Sequence, residues 1–344
     1  MTDMAEMGES EDTEPLESEN DCQYFDSYAG VGVHRMMLGD RARTEGYRKG
    51  IEAIVKPGMV VLDVGAGTGI LSFFAARAGA KTVYAVDRSD ILAVTEELVE
   101  ANNFQDVIKC IDGVAENIEL PEKVDVIVSE WMGMFALTEA MFESVVRAAK
   151  KHLKPGGVLI PGGIRICLTA IQDDKLYNEE GLGFWTESLY GFDYSPMINA
   201  EISDLETHSV DGSNATALAP SVVLADLDCH TAEIADYWFN AEFSIEIEKA
   251  GRMHGFYGHF EAILAPGVVL STYHKETMTH WRQSWFPLKE REVEVGDLLA
   301  MRFRAKADPT GMDPRKPIYF MEGEWTRGGK SIDKFYYCHH GTYE

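Results

Sequence analysis

The sequence has few cysteines, no long apolar run, no internal repeat, and no Lys or Arg before Arg35. The five cysteines, Cys22, Cys110, Cys167, Cys229 and Cys338, are odd in number and scattered, with no CxxC pair. That spacing argues against a disulfide framework and a zinc site, so the thiols read as reduced packing residues and no metal is expected. No apolar stretch approaches the roughly 20 residues that span a bilayer, and the N-terminus has no basic region leading into an apolar one. A soluble intracellular protein without a membrane partner is therefore expected. It is cytoplasmic by default, since no basic run of the nuclear-import type is visible, with nuclear entry left open. Basic residues are short overall: 31 Lys and Arg stand against 57 Asp and Glu, a net charge of −26. Binding a phosphate backbone needs clustered cations, so no direct nucleic-acid partner is expected. The balance suits cationic partners, although an acidic surface also serves solubility alone.

With 344 residues, 45% of them hydrophobic, the chain can bury a sizeable core and suggests about two domains. Residues 1–21 are rich in Glu, Asp and Ser with scarcely any aliphatic residue, and they read as a disordered acidic tail. Helical spacing follows, with His34, Met37 and Leu38 on one face and Asp40, Arg43 and Tyr47 on another. Strands at 59–64, 82–87, 107–112, 124–130 and 158–161 then alternate with helices, and a KPGG turn precedes the last. This rhythm predicts a doubly wound α/β domain over residues 22–163. Residues 164–344 shift to short alternating strands (165–171, 222–228, 239–248, 267–273, 317–325), which predict an antiparallel barrel or sandwich. An aromatic, helical stretch at 173–204 interrupts that half.

Two motifs carry chemistry. In VLDVGAGTGIL, Gly65, Gly67 and Gly69 separate a strand from a helix, letting the backbone approach a ligand at a helix N-terminus. Asp63 precedes the first glycine and is suited to a cationic amine, while Asp87 ends the next strand and is suited to ribose hydroxyls. Such a cationic amine is present in S-adenosylmethionine and absent from NAD, so the former is expected. In SEWMGMFALTE, Glu130 and Glu139 stand beyond a buried strand, at the end where open α/β sheets bind ligands. Taken alone, two such glutamates are more simply a helix-start acid and a solvated helix acid.

With these motifs, YFDSY (24–28), DRARTEGY (40–47), ENIELP (116–121) and THW (279–281), the chain resembles the protein arginine N-methyltransferases from about Cys22 onward, and most of all their subfamily six. The resemblance implies a Rossmann-like S-adenosylmethionine-dependent domain followed by a β-barrel domain. It implies that the stretch at 173–204 is a dimerisation arm forming a homodimer, whose exposed apolar residues would suit a partner copy. Carried over to this sequence, Phe25 covers the adenine, Glu116 beside Ala115 receives its amine, Asp87 takes the ribose, and Gly65 and Gly67 approach the cofactor. Arg43 holds the methionine carboxylate and His34 borders it from the N-terminal helix. As alternatives, Phe25 is ordinary core and Arg43 pairs with Asp40.

Guanidinium is a poor nucleophile, charged at all relevant pH. In the resemblance Glu130 and Glu139 grip it, and Glu139 or the Asp40–His280 pair accepts the proton. His280 also reads as a core histidine satisfied by Asp40. Tyr28, Met37, Met141 and Trp281 line the substrate pocket, with the two methionines implying asymmetric (type I) dimethylation and S-adenosylhomocysteine as by-product. The expected substrates are arginine-rich proteins, either Gly- and Arg-rich RNA-binding segments or histone tails. An inactive scaffold that activates a related enzyme is the alternative. The chain departs from the family at Met134, where an aromatic is usual, and at Met36, where an acid is usual.

Overall fold

The computed structural model describes residues 30–138, 141–203, 205–307 and 316–341. The acidic tail and the sites expected at Phe25, Tyr28 and Glu139 lie outside the described residues. Helices α1 (Val31–Gly39) and α2 (Arg41–Ile54) come first. Between them, Asp40 adopts extended backbone and its carboxylate accepts the Arg43 amide, so it caps α2. The helical spacing expected through Asp40, Arg43 and Tyr47 therefore starts at a cap rather than inside one helix.

Strands and helices then alternate as β1 (Val60–Val64), α3 (Ile70–Arg77), β2 (Thr82–Asp87), α4 (Ile91–Ala101), β3 (Ile108–Asp112), β4 (Val124–Ser129), α5 (Phe142–His152) and β5 (Leu153–Ile160). They form a parallel sheet in the order β3-β2-β1-β4-β5. Every residue of β1 is buried, as expected of a parallel strand covered on both faces. The chain reverses its direction of travel across the sheet between β1 and β4, which makes their carboxyl ends the crevice. Val64 pairs with Ser129 there, so the glycine turn and Glu130 leave the sheet side by side.

The expected KPGG turn is instead part of β5, whose register with β4 is irregular between Val124 and Val126. Lys154 Nζ donates to Asp125 Oδ1 at 2.8 Å, and Asp125 Oδ2 accepts the Val60 amide at 2.8 Å, which fastens the segment to β4 and β1.

From β6 (Gly163–Gln172) onward the main pairings are antiparallel. Next come α6 (Asp174–Glu180), a 3₁₀ turn at Leu182–Thr186, the small hairpin of β7 (Ser188–Leu189) and β8 (Phe192–Asp193), and α7 (Met197–Ile202). The remaining strands are β9 (Leu205–Glu206), β10 (His208–Val210), β11 (Thr216–Ala217), β12 (Val222–Asp228), β13 (Asn240–Glu246), β14 (Gly251–Ala265), β15 (Val268–Ser271), β16 (Gln283–Val293), β17 (Leu298–Ala307), β18 (Pro317–Arg327) and β19 (Lys330–His340). One sheet is built around β16-β14-β6, and a second runs β13-β17-β18-β19-β9.

The longest strand, β14, is buried continuously from Met253 to Phe260. It therefore shows none of the alternation by which a strand is read from sequence. Helix α2 lies directly on β14, because a Cβ at Gly50 would sit 2.8 Å from Leu264 Cβ and only glycine permits that approach. This contact fixes α2 against the antiparallel half of the molecule. Among the described residues, no helix is long and apolar enough to cross a membrane.

Candidate active site

The site begins at the glycine turn after β1. Gly65, Gly67 and Gly69 have φ of +72°, +53° and +74°, a region that L side chains rarely adopt. The Gly65 and Ala66 amides donate to the Val86 carbonyl at 2.9 and 3.0 Å. Thr95 Oγ1 donates to the Gly67 carbonyl at 2.5 Å. Asp87 Oδ2 accepts the Gly67 amide at 2.7 Å, and Oδ1 accepts both the amide and hydroxyl of Ser89. Of the roughly four acceptor positions of the Asp87 carboxylate, one thus holds the glycine turn and two hold Ser89, leaving about one for a ribose hydroxyl.

A Cβ on Gly67 would sit 3.2 Å from His34 Cε1, and one on Gly65 would sit 3.5 Å from Met141 Cε. His34 and Met141, expected at the cofactor and the substrate respectively, therefore both close on the glycine turn.

Asp63 is fully buried. Its Oδ2 accepts from Ser72 Oγ at 2.7 Å, whereas Oδ1 is buried without a partner. Burial pushes its carboxyl up to about 7, against the pull of the Ser72 hydrogen bonds. An orphaned acceptor beside a glycine cradle fits a ligand bearing an ammonium group. Further round, Glu116 Oε2 accepts from Ser144 Oγ at 2.5 Å. The Ala115 carbonyl accepts from His152 Nε2 at 2.8 Å, which sets the segment that the adenine amine is expected to reach.

Glu130 follows β4, and its side chain is 9% exposed. Oε2 accepts from Arg43 Nε at 3.0 Å and Nη2 at 2.9 Å, and Oε1 accepts the Met132 amide at 3.2 Å. The Arg43 side chain is therefore paired with Glu130; Asp40 takes only its amide, at 3.0 Å. Met37, expected at the substrate, supports the same guanidinium, its carbonyl accepting from Arg43 Nη1 at 3.4 Å.

The second Asp40 oxygen accepts the His280 amide at 2.8 Å and lies 2.9 Å from His280 Nδ1. Burial raises the Asp40 carboxyl, but hydrogen bonds from the His280 ring and from the Arg43 and His280 amides outweigh it and hold the group below its ordinary range. A depressed carboxyl contributes stability that is complete above its unfolded pKa and is lost as pH falls through the folded value. Asp40→Asn is thus expected to cost about 1.5–3 kcal/mol near neutral pH. The gap in melting temperature from the unaltered chain should narrow once pH falls below about 4. A gap that does not change with pH would contradict an ionised Asp40 carboxylate.

Trp281, expected to line the substrate pocket, is buried, and its indole N–H donates to the Met132 carbonyl at 2.6 Å. It braces the glutamate loop rather than facing open space. Tyr47 does the same from α2, its hydroxyl donating to the Ser129 carbonyl at 3.0 Å. Glu130 thus sits between two carbonyls, each held by a buried aromatic donor. Tyr47→Phe is expected to cost about 1–3 kcal/mol, because it strands a buried acceptor, and chemical denaturation would measure it. Sequence reasoning placed Tyr47 on a helix face without this role, and it missed Ser144 and Phe135. Phe135, one position past the departure at Met134, is 3% exposed, and its ring meets Phe286, Phe303 and Tyr319 of the antiparallel half at 5.2, 6.1 and 5.8 Å. Among the described residues, no group of three or more His, Cys, Asp or Glu is arranged to hold a metal.

Residues 164–316 match the family model described as the arginine methyltransferase oligomerization subdomain, and residues 39–175 match that of the ribosomal protein L11 methyltransferase. The chain is 40% identical over 285 residues to protein arginine N-methyltransferase 1 of Schizosaccharomyces pombe, covering 80% of this chain and 82% of that one. Probable protein arginine N-methyltransferase 6 of Arabidopsis thaliana is also 40% identical, over 72% of this chain and 58% of its own. Among solved structures, the Trypanosoma brucei PRMT1 enzyme-prozyme heterotetrameric complex with AdoHcy (S-adenosylhomocysteine) superposes with a TM-score of 0.83 at 30% identity. It covers 92% of this chain and 100% of that one.

Proposed function

The chain belongs to the protein arginine N-methyltransferases, and from that premise we propose that it methylates arginine first to the monomethyl and then to the asymmetric dimethyl form. The cofactor is S-adenosylmethionine, which when bound supplies an electrophilic methyl group. The glycine turn and Asp87 would hold its nucleoside, Glu116 the adenine amine, and Asp63 Oδ1 the ammonium.

The observation that carries the reading is that Glu130 already grips a guanidinium, with two Arg43 nitrogens on one oxygen. A carboxylate able to hold that fork suits a substrate arginine equally. Held so, a guanidinium has its positive charge drawn toward the bonded nitrogens, and a free terminal nitrogen can be aimed at the methyl donor. We assign the departing proton to Glu139, with the Asp40–His280 pair as the second route. Substrates would be cationic segments, either Gly- and Arg-rich or histone-like, steered by the net charge of −26.

The arm at 173–204 leaves Tyr190 96% and Phe192 67% exposed, a surface suited to a second copy. Light scattering should find a homodimer, and an active monomer would remove that part of the proposal. We place the protein in the cytoplasm with access to the nucleus, which a fluorescent fusion would test. The decisive assay is transfer from labelled S-adenosylmethionine to an Arg-rich peptide, read by mass spectrometry. Symmetric dimethylarginine as the only dimethyl product would overturn type I specificity, and no incorporation would favour the scaffold alternative.

A further inference from the structure

The two sheets of the antiparallel half stay apart where β16 and β19 face each other. β16 has β10 beside it only at Gln283–Trp285, and β19 has β9 beside it only at His339–His340. Beyond those residues, among the described residues, no backbone-to-backbone hydrogen bond joins the two strands. Side chains bridge them instead: His339 Nε2 donates to the Pro287 carbonyl at 2.9 Å, the Lys289 amide donates to Tyr337 Oη at 3.4 Å, and Arg291 pairs with Asp333. Between the strands lies a cleft of about 600 Å³, its open mouth included. Met253, Leu288 and Trp325 line it as buried apolar surface. It lies past Phe286 on β16, and none of its lining residues belongs to the site built on Glu130.

The register of β14 with β16 breaks at this cleft. Between the Met253–Arg291 and Gly255–Pro287 pairs, His254 alone faces Leu288, Lys289 and Glu290. The bulge ends the alternation of sides, so consecutive residues from Leu288 to Arg291 all line the cleft. Its two carboxylates are already committed. His254 Nδ1 accepts the Asp173 amide at 3.1 Å, so Nε2 carries the ring proton and donates to Glu290 Oε2 at 3.0 Å. Asp333 Oδ2 takes Arg291, and Oδ1 accepts the Lys334 amide at 2.8 Å. The two cations are not committed in this way. Arg291 uses one terminal nitrogen on Asp333 and keeps further N–H groups, and Lys289 is exposed and forms no ion pair among the described residues. Two tyrosines also brace this segment, Tyr337 at the Lys289 amide and Tyr177 of α6 at the Glu290 amide, at 3.0 Å. The cations are thus presented on a fixed backbone.

We propose that the cleft between β16 and β19 is a second ligand site, for a small organic acid whose carboxylate takes Lys289 and Arg291 and whose apolar body lies on Met253, Leu288 and Phe335. Satisfied acids beside cations with spare donors select an anion, and planar N–H groups suit a carboxylate. An apolar lining with a few convergent polar groups is the usual make-up of a small-molecule site. The proposal stands apart from methyl transfer, because it uses none of the residues assigned to that reaction.

The test is calorimetric titration of cinnamate into the full chain saturated with S-adenosylhomocysteine, so that the cofactor site is filled and offers no cation to the probe. Cinnamamide, the same body without the charge, is the comparison. Cinnamate should bind, and cinnamamide should bind about tenfold more weakly or worse, the loss expected for a hydrogen bond to a charged group. Arg291→Gln should weaken cinnamate about tenfold and the more exposed Lys289→Gln about threefold, both without effect on cinnamamide. Hydrogen exchange over residues 286–293 should slow when cinnamate binds. Lys289 is exposed and unpaired, so its variant keeps the fold, and the cinnamamide comparison uses the unaltered protein. No binding at millimolar cinnamate, equal affinity for the two compounds, or cinnamate affinity untouched by both substitutions overturns the site. Slowed exchange that spares residues 286–293 overturns it as well.

Discussion

Glu130→Gln is expected to lower kcat/KM for an arginine peptide by about 10²–10³-fold, the loss typical of removing one preorganised group from charge stabilisation. The amide keeps the shape of the carboxylate and one acceptor, but it brings no charge to draw on the guanidinium. The same change leaves Arg43 as a buried cation beside a neutral amide. Breaking a buried ion pair from one side typically costs about 3–5 kcal/mol. The single variant should therefore also melt earlier, and activity alone would not separate a catalytic loss from a structural one. Removing both charges does separate them: Arg43→Gln with Glu130→Gln should regain most of the stability and none of the activity. Thermal melts and steady-state kinetics on the unaltered chain and the two variants measure this. A single variant with unaltered kcat/KM would refute the role of Glu130. A double variant no more stable than the single would refute the energetic importance of the pair.

Phe135 carries the second large effect. It and Ala136 are consecutive non-glycine residues with positive φ, +53° and +61°, in the loop that begins at Glu130. Such backbone costs on the order of 1–3 kcal/mol per residue and persists only where its surroundings over-determine it. Here the surroundings are the antiparallel half. The Phe135 ring is enclosed by Phe286, Phe303 and Tyr319, and the Ala136 carbonyl accepts from Tyr237 Oη at 2.9 Å. Room for the ring exists because residue 258 is glycine: a Cβ there would sit 2.5 Å from Phe135 Cε2.

Phe135→Ala should cost about 3–5 kcal/mol through the emptied site. Phe135→Gly should cost about 1 kcal/mol less, because glycine is free of the left-handed penalty. That inverts the usual order of the two substitutions, and denaturant midpoints would reveal it. Both should reduce turnover, since a loop freed by about 1 Å can lose about 10²-fold in rate. If Ala proves more stable than Gly, the strain at this position is not what holds the loop.

Several features were legible in the chain because they are local. The buried β1, the glycine turn and the run of β4 up to Glu130 declare themselves by apolar continuity and by residue types that only a tight turn requires. The alternation of strands and helices likewise predicted a parallel sheet ahead of an antiparallel half. Other elements stayed hidden for identifiable reasons. β14 is buried on both faces where it crosses the middle of its sheet, so it has no period to read. The KPGG segment carries turn residues, yet it is drawn into β5 beside Asp125 and Lys154.

The sequence by itself determined which groups are present for the chemistry: the glycines, Asp63, Asp87, Glu130, His280 and the N-terminal Arg43. Only the tertiary structure decided which of them meet. Arg43 finds Glu130 across 87 residues, and Asp40 finds His280 across 240. Trp281 reaches back to the Met132 carbonyl, and Phe135 enters the space that Gly258 leaves. Residue type and spacing encode local conformation within a few turns of chain. A charge or ring that is satisfied far along the sequence depends on how the whole chain packs, and here that packing gave Glu130 an arginine of its own.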